Sequence, residues 1–210
     1  MNKLQLETIE SYNAKANEFQ RTIGKLQNYN HTYDFLIEKL SPGDEVLDLA
    51  CGPAQISKYI SSKIDVKITG VDLSDKMLEI AKKEIPHGQF YKESIINFSN
   101  NKKYNLVIIG FGIPYLTTEQ TQECISNAVK NMCNNSYFYM SFMHGNGCKL
   151  EKTSFGGEYD FLIYYHNKNE IKEFISENAM EIIQEYELDY SEKDGTISKD
   201  IVFIARKMKK

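Results

Sequence analysis

The stretch EVLDLACGPAQIS, residues 45–57, concentrates residue types that can do chemistry. A carboxylate, Asp48, stands near the end of an apolar run. A turn of small residues follows, Ala50-Cys51-Gly52-Pro53-Ala54, and then a helical pattern. A strand entering a helix through such a turn lets backbone approach a ligand closely. About 20 residues on, GVDLSDKML puts a second carboxylate, Asp72, at another strand end, where it can accept both hydroxyls of a ribose. Proton transfer has few candidates among the 4 histidines. His144 ends the run SYFYMSFMH, and His166 lies in FLIYYHN. Tyr115, in the loop GFGIPYL, is a further hydroxyl near the same edge. Metal chemistry lacks support, because Cys51, Cys124, Cys133 and Cys148 form no C-x-x-C pair.

These residues need a scaffold that brings strand ends together. Residues 3–40 read as helical, and SPGD (41–44) breaks the pattern as a turn. From there strands and helices alternate. EVLDLA, VKITGVD, GQFYK, YNLVIIGF and SYFYMSFMH read as strands; QISKYISSK, SDKMLEIAKKEI, TTEQTQECISNAVKNM and NEIKEFISENA read as helices. Ser74 is the expected N-cap of the second helix, and Thr117 with Gln120 fits a capping box. YNLVIIGF is apolar on both faces, as a central strand must be. Residues 145–160 read as a loop. EIIQEYELDY and DIVFIARK close the chain as a hairpin joined at EKDG. The expected fold is α/β: a Rossmann-like, doubly wound seven-stranded sheet, parallel with a C-terminal antiparallel hairpin strand, and helices on both faces. Residues 1–40 would form an N-terminal helical cap or lid, and residues 41–210 the ligand-binding domain. In such sheets ligands sit at the carboxyl ends of the strands.

The turn is not the G-x-G-x-x-G of dinucleotide dehydrogenases, and it is not a Walker loop. LDLACGPAQIS instead resembles motif I of the class I S-adenosylmethionine-dependent methyltransferases. Asp48 takes its acidic position, and Ala50, Gly52 and Ala54 take its three glycine positions. The resemblance implies S-adenosylmethionine as cofactor and S-adenosylhomocysteine as product. Asp48 would hold the amino-acid ammonium directly or through water, with Ala50, Gly52 and Pro53 lining the turn. Asp72 would hold the ribose; Leu73 and Met77 would pack on the adenine. FYKESIINF (90–98) is similar to the family's next motif and puts Glu93, Ser94 and Ile95 near the adenine edge. The family's usual Asp is absent there. Gly110 and Phe111 open the loop beneath the methyl donor. That loop lacks the polar residue of the nucleic-acid amino methyltransferases, since Gly112 and Ile113 stand in its place. The chain also looks like a group of small bacterial methyltransferases. In the family an N-terminal segment folds over the cofactor, and Tyr12 and Tyr29 are the aromatic residues expected to reach it. Because alanine resists positive φ, Ala50 and Ala54 are expected at negative φ, with Gly52 carrying the unusual geometry.

A net charge of −4 and a pI near 5.7 argue against a nucleic-acid partner. No apolar run reaches a membrane span. The expected acceptor is a small molecule bound by a cytoplasmic monomer or homodimer, with no metal. His144, His166 and Tyr115 are the candidates for catalysis or substrate binding. An RNA or protein methyltransferase, a non-catalytic binder of the same cofactor, and a nicotinamide dehydrogenase are the rival readings.

Overall fold

In the computed structural model the described residues are 3–152, 160–191 and 197–208. The chain opens with helices α1 (Lys3–Ile23) and α2 (Asn30–Ile37). Then come β1 (Glu45–Leu49), α3 (Gln55–Ser61), β2 (Lys67–Asp72), α4 (Asp75–Glu84), β3 (Gln89–Lys92) and β4 (Tyr104–Gly110). A short 3-10 turn at Ile113–Tyr115 leads to α5 (Thr118–Lys130) and β5 (Met132–Met143). β6 (Cys148–Glu151), β7 (Phe161–Tyr164), α6 (Lys168–Glu177), β8 (Met180–Ser191) and β9 (Ile197–Lys207) complete the order.

Seven strands form one sheet in the order β3-β2-β1-β4-β5-β9-β8. The pairs from β3 to β5 are parallel, and β9 runs antiparallel to both neighbours. The middle strand is β4, whose run Leu106–Ile109 is buried throughout. Side chains alternate between two cores, as a pleat requires. Leu47, Leu49, Val107 and Ile109 face α5 and α6, whose Ile125, Ala128, Ile171 and Ile175 fill that side. Val46, Leu106 and Ile108 face α2 and α3 through Tyr33, Leu36 and Ile60. Helices therefore cover both faces.

The helix starts follow the expected caps. Ser74 Oγ accepts the Met77 N–H, and Thr117 with Gln120 completes a reciprocal capping box on α5. The region expected as a loop is in part a two-stranded sheet, because β6 pairs with β7 in antiparallel register. Its strand CKLE is largely exposed, so no alternation of apolar residues announces it. The EKDG turn between β8 and β9 lies outside the described residues. Helix α1 lies against α4 and β7: Ala16 packs with Met77 and Ile80, and Thr8 Oγ1 accepts the Leu162 N–H at 3.2 Å.

Candidate functional site

The turn between β1 and α3 takes a path that its sequence resists. Ala50, Gly52 and Ala54 all have positive φ, at 59°, 52° and 62°. The expectation of negative φ at both alanines is therefore wrong. A left-handed L-residue costs about 1–2 kcal/mol. Three hydrogen bonds hold the path against that cost: Cys51 N–H to the Val71 carbonyl at 3.0 Å, Gly52 N–H to Asp72 Oδ2 at 2.8 Å, and Ala54 N–H to the Cys51 carbonyl at 2.8 Å. The close approach moves elsewhere, since a Cβ on Gly112 would meet the Ala50 Cβ at 2.9 Å.

Asp72 is fixed at the end of β2. Its second oxygen accepts the Ser74 N–H at 2.8 Å, and burial raises its pKa. Asp48 is 2% exposed and accepts the Ser57 hydroxyl at 2.5 Å. Burial pushes its pKa up from 3.8 to about 7, the Ser57 bond opposing and the charge of Asp72 adding. An ionised Asp48 is thus costly unless a cation joins it.

A cavity of about 130 Å³ opens beside this turn. Seven of the expected cofactor residues line it: Tyr29, Asp48, Ala50, Gly52, Pro53, Gly110 and Phe111. Sequence reading missed Phe19, Tyr33, Ile56 and Tyr59 on the same walls. Tyr33 and Phe19 were legible as helical aromatics, but nothing local distinguished wall from packing. Tyr29 is buried, its hydroxyl donating to Asp200 Oδ2 at 2.5 Å across 171 positions of sequence. Burial, then the Asp200 carboxylate, raises its pKa. Phe111 also has positive φ, 52°, held by its N–H on the Ser141 carbonyl at 3.1 Å and Oγ at 3.0 Å. Its ring meets that of Tyr29 edge-on at 5.4 Å.

Further along the sheet edge α1 closes over Asp72. Tyr12 packs edge-on against Phe19, Tyr115 and Phe161, and its hydroxyl pairs with that of Tyr115. Burial lifts both phenols, Tyr115 to about 12. Asn13 Oδ1 accepts the Ser74 hydroxyl at 2.7 Å and ties α1 to the start of α4. Met77 is buried beneath α1, and Leu73 is half-buried at the strand end. Glu93 is exposed, Ser94 is half-buried, and Ile95 belongs to the main core. None of these five lines the cavity.

The histidines are not brought to the cavity either. His144 is exposed just past β5, its N–H on the Lys199 carbonyl at 2.9 Å. His166 is 1% exposed, and its Nε2 donates to the Ile113 carbonyl at 2.8 Å. Burial lowers its pKa, so it is neutral at pH 7. A buried imidazole tied to backbone positions the loop that carries Tyr115; in this arrangement it does not meet a substrate as a base.

This geometry has relatives. Residues 46–135 match a family described as a methyltransferase domain. The fold matches the structure of a magnesium protoporphyrin IX methyltransferase from Synechocystis PCC 6803 with bound S-adenosylhomocysteine: TM-score 0.74, 17% identity, covering 97% of this chain and 99% of that one. The chain has the fold of the class I S-adenosylmethionine-dependent methyltransferases, and the family match falls on the strands that carry Asp48 and Asp72. S-adenosylmethionine is the cofactor of that family. In sequence, the chain is 30% identical over 133 residues to the putative methyltransferase 235L of Invertebrate iridescent virus 6, covering 60% of the chain and 47% of the relative. It is 34% identical over 79 residues to the demethylmenaquinone methyltransferase of Thermotoga maritima, covering 37% of the chain and 34% of that protein. The chain spans a third to a half of the length of the curated relatives it matches.

The residues present fit that cofactor. Asp48 is a buried carboxylate facing the cavity, with a pKa that a bound ammonium would draw down. Asp72 stands beside it at the neighbouring strand end, and the backbone of Gly52, with no side chain nearer than Phe19 at 3.7 Å from where a Cβ would stand, allows close approach. Among the described residues no group of acidic, histidine and cysteine side chains could hold a metal ion. No described helix is long and apolar enough to cross a membrane.

Proposed function

We propose that the chain transfers a methyl group from S-adenosylmethionine to a small-molecule acceptor held under α1 and α2. The observation that carries this reading is the cavity beside Asp48, Gly110 and Phe111, walled by side chains of the N-terminal helices and of the segment joining them. A hollow of about 130 Å³ under such a cover suits a compact group, not a nucleic-acid strand. The net charge of −4 points the same way.

When bound, the cofactor supplies a methyl group already activated on a sulfonium. The chain's own residues then have to align and dry the site. Asp48 holds the ammonium, and Asp72 the ribose hydroxyls through the lone pairs left by its two backbone bonds. The Tyr12–Phe19 pair on α1 excludes water, so residues 1–40 act as a lid. His166 fixes the carbonyl of Ile113 and with it the loop below the donor.

The test is incubation of the purified chain with methyl-labelled S-adenosylmethionine and a fractionated metabolite extract, with mass detection of labelled products. A labelled small molecule supports the proposal. Label appearing only in protein or RNA overturns the choice of acceptor. No transfer at all despite tight S-adenosylhomocysteine binding favours a non-catalytic binder.

A further inference from the structure

The chemistry of the cavity wall narrows the acceptor, given the reading that it is a small molecule. Five of the lining side chains are aromatic: Phe19, Tyr29, Tyr33, Tyr59 and Phe111. The single charged one is Asp48, and no lysine, arginine or histidine lines the cavity among the described residues. Two of the phenols are turned to carboxylates. Tyr29 donates to Asp200 at 2.5 Å, and Tyr59 donates to Asp34 at 2.9 Å. Each bond spends the phenol's proton on a carboxylate and leaves an electron-rich ring toward the ligand. Asp200, buried beside Tyr29, thus puts negative potential on one small apolar space, and the exposed Asp34 adds a share that solvent screens. Phe111, held in left-handed backbone by its N–H bonds to Ser141, sets its ring against that of Tyr29.

We infer that this cavity selects an acceptor through a cationic amine group, seated against the rings of Tyr29, Tyr33, Tyr59 and Phe111 and in the field of Asp200 and Asp34. A cation over aromatic faces gains about 0.5–2 kcal/mol per contact, more when dry. An acceptor anchored by carboxylate or phosphate would meet repulsion from Asp200 and Asp34, whereas the Lys63 ammonium, 5.4 Å from the Tyr59 ring centroid, shows that one of these rings already takes a cation. Asp48 remains with the amino-acid end of the cofactor, so the acceptor's cation takes the side of the cavity formed by α2 and α3.

Two isosteres test this: choline and 3,3-dimethylbutan-1-ol, which differ in having nitrogen or carbon at the branched centre. Each is titrated by ligand-observed NMR into the full chain saturated with S-adenosylhomocysteine, which lacks the sulfonium charge. Choline is expected to bind at least about tenfold more tightly. Asp200→Asn keeps an acceptor for the Tyr29 hydroxyl, and Asp34→Asn changes only an exposed side chain. Each is expected to lower the choline-to-alcohol ratio about threefold, leaving the alcohol and S-adenosylhomocysteine affinities unchanged. Equal binding of the two isosteres, or a ratio that neither variant alters, overturns the cationic acceptor and leaves the small-molecule reading standing; the aromatic wall would then serve the cofactor's sulfonium alone. Binding of neither isostere overturns the cationic acceptor too, and the labelled-product experiment then decides the small-molecule reading by itself.

Discussion

Asp48→Asn separates what the site does for the cofactor from what it costs the fold. The pKa of Asp48 rises from 3.8 unfolded to about 7 folded, so the folded chain holds its proton more firmly. Below about pH 4 both states are protonated and the group costs nothing. Between about pH 4 and 7 the unfolded state loses the proton first, and stability falls by about 1.4 kcal/mol per pH unit. Above pH 7 the loss levels off at about 4 kcal/mol, the cost of an ionised carboxylate that is 2% exposed. Asparagine keeps the shape and an acceptor for the Ser57 hydroxyl, and it carries no charge. At pH 8 the cofactor-free variant is therefore expected to be more stable than wild type by about 2 kcal/mol or more, a rise in Tm of about 4–8 °C. At pH 5 the gain should be much smaller, because wild-type Asp48 is then mostly protonated. S-adenosylhomocysteine affinity should fall at both pH values. The assay is thermal denaturation of both proteins across pH 5–8, the difference between them isolating the one group. A variant that is less stable by the same amount at every pH would refute the reasoning.

Other outcomes follow from the same contacts. Ala54→Val places a β-branched side chain at φ 62° and is expected to cost about 2 kcal/mol or more by chemical denaturation, whereas Ala54→Gly stays within about 1 kcal/mol of wild type as relieved strain offsets a lost buried methyl. Gly112→Ala drives a methyl to 2.9 Å from the Ala50 Cβ; a loss of about 1–3 kcal/mol in denaturation and weaker S-adenosylhomocysteine binding by calorimetry are expected. His166→Phe removes one of two hydrogen bonds on the Ile113 carbonyl, which keeps the Leu116 N–H, and should cost about 0.5–1.5 kcal/mol and lower kcat, without removing an ionisation from the pH profile of kcat/KM. Tyr12→Leu opens the contact with Tyr115 and Phe161 and should speed dissociation of S-adenosylhomocysteine in stopped-flow measurements.

Much of the scaffold could be read from the residues because its signals are local. The apolar run of β4 is buried on both faces because it lies mid-sheet, and the caps at Ser74 and Thr117 involve residues three apart. The positions of Asp48 and Asp72 follow from strand ends alone. What escaped notice depends on distant partners. β6 exists because β7 pairs with it, and its own residues are largely exposed. Tyr29 meets Asp200 from the far end of the chain, and no spacing rule connects them. The left-handed alanines show a different limit: glycine preference is a matter of about 1–2 kcal/mol, and three hydrogen bonds in the turn outweigh it.

The central claim is that Asp48, Gly52 and Asp72 form a site for S-adenosylmethionine and its product. Calorimetric titration of S-adenosylhomocysteine into the wild-type chain and into Asp72→Asn tests it most directly, with NAD titrated in parallel. One-to-one binding of S-adenosylhomocysteine, weakened at least about tenfold in the variant at a similar Tm, is the predicted result, with no heat from NAD. Binding of NAD without S-adenosylhomocysteine, or S-adenosylhomocysteine binding indifferent to Asp72, would contradict it.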